Sequence, residues 1–240
     1  MIYTRPLLEV IATSPEDAMI AEASGADRIE LIAAQSEGGL TPSLGMIQEI
    51  VSTVSIPVHV MLRPHSRHFR YEAGEINSML RDAQYIADAG AAALVLGVLD
   101  DAQHVDTQVL SRLLAAAPEM KVTFHRAIDE AADIRQAIVA LSQYPQITRI
   151  LTSGGRASVL DAVDEWSSLQ QVAEQHRITL LAGAGLTLET LGDFVQRTGV
   201  HEVHLGSAVR CEGKIALPLD AQRIRKARQI LDDAHTLLGS

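Results

Sequence analysis

The chain has 240 residues, 47% of them hydrophobic and 21% charged, which suffices to bury a substantial core in one or two domains. A formal net charge of −10 argues against nucleic acid or an anionic bilayer as the main partner. No apolar run reaches the ~20 residues of a membrane span, and the single cysteine, Cys211, excludes an intrachain disulfide and any zinc site built from several thiolates.

The opening MIYTRPLLEV has no signal-peptide pattern, so a soluble cytoplasmic protein is expected. Leu7–Ala12 is a first β-rich run, with Glu9 between Leu8 and Val10. Ser14 and Pro15 then predict a helix start, a capping hydroxyl followed by proline in the first turn. In GADRIEL (25–31) a glycine leaves that helix and a second strand, 28–32, begins, with Glu30 between Ile29 and Leu31. The loop SEGG (36–39) follows, and Thr41-Pro42 predicts the start of the second helix.

A third strand, 58–62, sets His59 between Val58 and Val60, and Arg63 shares the parity of His59 and Met61. The stretch 63–75, RPHSRHFRYEAGE, exceeds the ~2–6 residues usual for a βα loop. It gathers His65, Arg67, His68 and Arg70 with Phe69 and Tyr71, which suits either an anion-attracting lid or a solvated loop. His65 and His68, three apart, could share a metal only if the loop were helical there. Ile76, Met79, Leu80, Ala83 and Ile86 repeat at helical spacing before Gly90. Strands at 93–96, 122–125, 149–152, 179–182 and 202–205 complete a set of eight alternating with helices. With no linker or shift of composition, this predicts a single-domain (β/α)8 TIM-type barrel, whose usual size is ~250 residues.

In such a barrel the apolar neighbours of each polar strand residue take the helix-facing side and turn the polar group inward. Glu9, Glu30, His59, Arg63, His125 and His204 then form an inward ring, with Arg126 beside His125. Carboxylate, imidazole and guanidinium together suit acid–base catalysis near neutral pH, with Glu30 and His125 as leading acid–base candidates, Glu9 tuning Glu30, and Arg63 and Arg126 holding an anionic substrate. The competing reading is a structural ion-pair network that fills the barrel.

Barrels often bind phosphate with the loops after strands 7 and 8. Gly183, Ala184, Gly185, Gly206 and Ser207 are the expected anion cradle, with Thr152, Ser153, Gly154 and Gly155 beside it. The alternative is that these glycines simply make tight turns. Cys211, alone beyond the last turn, reads as an incidental thiol.

LEV, GADRIEL, SEGGLTPS, IPVHVMLRP, VTFHRAID, RILTSGG and the glycine-rich turn after strand 7 occur in this order, and over residues 7–207 the chain resembles the CutC family. The resemblance implies a TIM-like barrel, a cytoplasmic protein, a homodimer or higher homo-oligomer, and a role in copper homeostasis with Cu(I) binding. It also ties copper to cysteines after LEV and after IEL, where this chain has Ile11 and Ile32. The remaining soft or imidazole donors near the mouth are Met61, His59, His125 and His204. Three functions are compatible with these residues: a copper-handling protein, an enzyme acting on a small phosphorylated or otherwise anionic metabolite, and a ligand sensor or scaffold.

Overall fold

In the computed structural model, which describes residues 5–238, hydrophobic alternation is converted directly into a closed barrel. Its parallel strands are β1 (Leu7–Ala12), β2 (Arg28–Leu31), β3 (Val58–Met61), β4 (Ala93–Leu96), β5 (Lys121–Phe124), β6 (Ile147–Thr152), β7 (Thr179–Ala182) and β8 (Glu202–Leu205), paired in sequence order with β8 returning to β1. The helices are α1 (Pro15–Ala23), α2 (Leu44–Thr53), α3 (Ala73–Asp88), α4 (Thr107–Ala116), α5 (Ile134–Leu141), α6 (Val163–Gln175), α7 (Leu191–Thr198) and α8 (Ala221–Leu238). None of them, among the described residues, is long and apolar enough to cross a membrane.

Outward strand residues such as Leu8, Val10, Ile29, Leu31 and Val60 are fully buried in the main core. Inside the barrel the filling is different. Most barrels pack branched aliphatics there, whereas here Glu9, Arg28, Glu30, His59, Thr123 and His204 are buried. Ile32, Met61 and Val95, with Ile11 packed against them, form a small separate apolar cluster.

Three local expectations change. Helix α2 starts two residues later than Thr41-Pro42 suggests, because Ser43 is its cap and accepts the Met46 amide. Thr41 instead accepts the Arg63 amide at 2.8 Å and donates to the Arg63 carbonyl at 3.1 Å, tying the β2 and β3 loops together. His125 lies one residue beyond β5 and caps the short 3₁₀ turn Arg126–Glu130.

Candidate functional site

The register of β1 places Glu9 beside Arg28 on one side and His204 on the other. Arg28 Nε donates to Glu9 Oε2 at 2.5 Å, and its Nη2 donates to Glu202 Oε2 at 2.7 Å. Arg149 Nε reaches the same Glu202 oxygen at 2.6 Å. Two guanidinium groups thus neutralise two carboxylates, which is what a buried cluster of charge requires. Arg28 is the cation that pairs with Glu9 and bridges it to Glu202. Its signal was available: Arg28 sits two residues before Glu30, and Glu202 two before His204, on the same inward parity.

His204 stands between the carboxylates. Its Nδ1 lies 2.7 Å from Glu9 Oε1 and its Nε2 lies 3.8 Å from Glu30 Oε2. Burial favours the carboxylic acid at Glu9, but Arg28 and His204 hold its carboxyl well below the usual range. His204 moves the other way: burial opposes its proton, and the carboxylates of Glu30 and Glu9 overcome that opposition. His59 is 3.9 Å from Glu9 Oε2, and burial holds its imidazole down at about 3, hence neutral.

Glu30 is the exception to this pairing. It is 3% exposed, and its Oε1 has no hydrogen-bond partner among the described residues. Burial pushes its carboxyl up to about 7, with Glu9 reinforcing the rise and His204 and Arg28 opposing it. Glu30 lines a cavity of about 370 Å³ at the mouth, together with Arg63, His125, Arg126 and His204. Glu9 and His59 do not line it; they lie among the groups that support it.

His125 Nδ1 accepts the Ala127 amide at 3.1 Å. In a neutral ring that bond puts the proton on Nε2, which is buried without a protein partner. A Cβ on Gly97 would meet Nδ1 at 2.4 Å, so only glycine lets this edge of the imidazole settle there. Burial, aided by Arg63 and Arg126, lowers the His125 pKa to about 3. At neutral pH this ring is therefore uncharged, with its one proton on Nε2.

Arg63 stacks over Phe69 with its guanidinium carbon 4.6 Å from the ring centre. Its Nη1 approaches the carbonyls of Gly38 and Gly39, and its Nη2 donates to Ser66 O at 3.2 Å. Gly38 and Gly39 have φ of +81° and +93°, and a Cβ on either would come within 3.2 Å of Arg63 or Ile32. The SEGG loop therefore closes on the barrel wall and fixes Arg63.

The expected anion cradle divides. Thr152, Ser153 and Gly155 already surround an anion, the carboxylate of Asp129, which sequence reasoning missed. It accepts the Thr152 hydroxyl at 2.5 Å, the Ser153 amide at 3.0 Å, the Ser153 hydroxyl at 2.9 Å and the Gly155 amide at 3.1 Å. Gly154 donates to the Thr152 hydroxyl, and Gly183 to the Thr152 carbonyl. These residues are thus not open to an external ligand. Ala184, Gly185, Gly206 and Ser207 do line the cavity, and their amides make no hydrogen bond among the described residues. Ala184 holds φ at +73°, an uncommon conformation for a residue with a Cβ. Arg126 lines the mouth, with Nε on Asp129 at 2.9 Å and Nη2 on Ser153 at 3.1 Å.

The Arg-rich stretch contributes only Arg63 and Phe69 to the cavity. Arg67 and Arg70 are exposed and pair with Glu75 and Asp101. His65 and His68 meet edge to face at 4.9 Å, in a segment that is not helical.

Metal ligation finds little here. Glu9, Glu30 and His204 offer donor atoms within 4.8 Å of one another. Both Glu9 oxygens are already engaged, one by a guanidinium, and a cation there would have to break that pair. Ile11 and Ile32 line the cavity where the resemblance would place thiols, leaving Met61 as the sulfur donor. Cu(I) prefers thiolates and thioethers, so the donors of this mouth do not fit it. Cys211 is partly buried in a 3₁₀ turn outside the cavity.

The CutC family model matches residues 6–209. A CutC family protein from Enterobacter sp. (strain 638) is 42% identical over 198 residues, covering 82% of this chain and 78% of the relative. A solved CutC structure from Streptococcus agalactiae, named for copper homeostasis, superposes with a TM-score of 0.78 at 30% identity over 83% of this chain and 97% of that one. Phosphoribosylanthranilate isomerase from Thermotoga maritima reaches a TM-score of 0.62 at 15% identity, over 95% of this chain and 99% of that one, and shares the barrel fold. The extent of the family match and the identity to these relatives together show that the chain belongs to the CutC family.

Proposed function

We propose that this chain is an enzyme that uses the mouth of its barrel for acid–base chemistry on a small anionic metabolite. One observation carries the reading: Glu30 is a carboxyl without a hydrogen-bond partner in the wall of a cavity, with a pKa moved close to neutrality. Arg63, Arg126 and the free amides of Ala184, Gly185, Gly206 and Ser207 supply attraction for an anion in the same cavity. The net charge of −10 fits a cytoplasmic protein whose partner is a small molecule rather than nucleic acid or a bilayer.

The test is a thermal-shift screen of phosphorylated and carboxylated metabolites, followed by turnover of the hits. Glu30→Gln should retain the fold and lower turnover by about 10²–10⁴-fold. Unchanged turnover in this variant would remove Glu30 from the chemistry.

Family membership favours a second reading, copper handling, through the name of the Streptococcus agalactiae relative. The donor set opposes it. Competition titration against a Cu(I) chelator, before and after alkylation of Cys211, decides between them: tight stoichiometric binding would restore the copper role.

A further inference from the structure

The groups that line the mouth differ in what each is free to do. Glu30 Oε1 is a bare acceptor, buried and without a protein partner. His125, which lines the same cavity, is the reverse: with Nδ1 occupied by the Ala127 amide, the neutral ring carries its proton on the unpartnered Nε2 and cannot accept one there. The Nδ1 edge of the ring packs into the space that a side chain at position 97 would fill. One base and one fixed neutral donor therefore share a single cavity of about 370 Å³, a size suited to a small metabolite.

Other reaction classes lack a part. A two-carboxylate glycosidase needs a second carboxyl shielded enough to keep its proton. Of the other carboxyls lining the cavity, Asp129 is held as an anion by Thr152, Ser153, Gly155 and Arg126, while Glu130 is exposed. Acyl transfer needs an activated nucleophile. Among the described residues, Ser207 is the one hydroxyl residue lining the cavity and no imidazole is hydrogen-bonded to it, and Cys211 lies outside. Proton abstraction beside a carbonyl needs only what is present: a carboxylate base, and a neutral donor that stabilises an enolate oxygen more effectively in the transition state than in the ground state.

We infer, building on the function proposed above, that the substrate is a small phosphorylated α-hydroxycarbonyl compound and that this site enolises it. The Cα–H bond breaks and its proton passes to Glu30. Its electron pair becomes the C=C bond, and the carbonyl π pair moves onto oxygen, which takes a hydrogen bond from His125 Nε2–H. In an aldose–ketose exchange Glu30 returns the proton to the neighbouring carbon, while the hydroxyl proton crosses to the former carbonyl oxygen. No oxidant or reductant enters. The phosphate meets the amides of Gly206 and Ser207 and of Ala184 and Gly185. The near-neutral pKa of Glu30 and the low pKa of His125 are consistent with these roles.

Calorimetric binding of phosphoglycolohydroxamate, which mimics an enediolate, compared with glycerol 3-phosphate, which carries the phosphate alone, tests this. The hydroxamate should bind at least about 100-fold more tightly, as expected of a transition-state analogue. Equal affinities would overturn enolisation and leave the anion site intact; failure of both to bind at millimolar concentration would overturn the anion reading and enolisation with it. A second measurement needs no variant: ¹⁵N NMR of the wild-type His125 ring should show protonated Nε2 and bare Nδ1 throughout pH 5–8. A ring that titrates near 6.5, or one protonated on Nδ1, would overturn the donor role.

Discussion

Glu9 and His204 meet at 2.7 Å through Oε1 and Nδ1, and this contact aims His204 Nε2 at Glu30, 3.8 Å away. The pair links the ion network in the barrel floor to Glu30, among the described residues the one buried carboxyl in the wall of the mouth. Glu9 consequently acts on Glu30 in two ways: it repels the Glu30 charge, and it helps to keep a positive imidazole beside it.

Glu9→Gln should expose that dependence. It leaves Arg28 with Glu202 as its remaining carboxylate, which Arg149 already shares. Breaking a buried ion pair from one side costs about 3–5 kcal/mol. Urea denaturation at pH 7 should show a loss of this order, and NMR titration should show a lowered His204 pKa. A loss below about 1 kcal/mol would mean that the floor network contributes little.

Glu30 gives stability a pH dependence opposite to that of most carboxylates. Its folded pKa of about 7 lies above the ordinary 4.5, so its contribution is complete below 4.5 and is lost as pH rises through 7. Glu30→Gln removes the titration. Relative to wild type, the variant should therefore gain stability between pH 5 and pH 8, by up to about 3 kcal/mol. Parallel stability curves for the two proteins would place the Glu30 pKa near its ordinary value.

The neutral histidines act on the acid side. His59 and His125 both have pKa values lowered to about 3, so the unfolded chain takes up their protons below 6.5 while the folded chain does not. Their contribution is present above 6.5 and is lost as pH falls toward 3. His125→Asn, which can still cap Ala127, should reduce the slope of stability against pH in this window by up to about 1.4 kcal/mol per pH unit. An unchanged slope between pH 4 and 6 would show that His125 titrates normally.

The inward alternation of β1, β2, β3 and β8 was legible in the sequence, because a charged residue flanked by aliphatics in a short strand can face only the barrel interior. What remained hidden was which charges pair. Parity marks Arg28 and Glu202 as inward, but their contact depends on barrel closure, which brings residues 28 and 202 together across β1. Asp129 had no local signature at all. It lies in a 3₁₀ turn after β5 yet fills the loop after β6, so the Thr152–Gly155 donors resembled an open anion site.

Asp129 behaves as a tethered anion, and its removal should open that site. Asp129→Ala strips the acceptor from two hydroxyls and two amides and frees Arg126. Each donor left unsatisfied and buried costs about 1–3 kcal/mol, less where water enters. The variant should be destabilised, and sulfate should raise its melting temperature more than it raises that of the wild type. An equal response to sulfate in both proteins would show that the loop collapses instead of accepting an external anion.

The copper question can also be reversed by mutation. Ile11 and Ile32 both line the mouth and pack in one apolar cluster with Met61. Replacing both by cysteine would put two thiolates beside a thioether, a donor set that Cu(I) prefers to anything now in the cavity. The double variant Ile11→Cys/Ile32→Cys should gain at least about 10³-fold in Cu(I) affinity, roughly 4 kcal/mol by the affinity relation. Each single variant should gain much less, because one thiolate cannot chelate. Chelator competition with Cys211 alkylated beforehand in the wild type, and replaced by serine in the variants, measures this without interference from the native thiol. If wild type and double variant bind Cu(I) equally tightly, the missing thiols are not what separates this chain from a copper protein, and the copper reading gains accordingly.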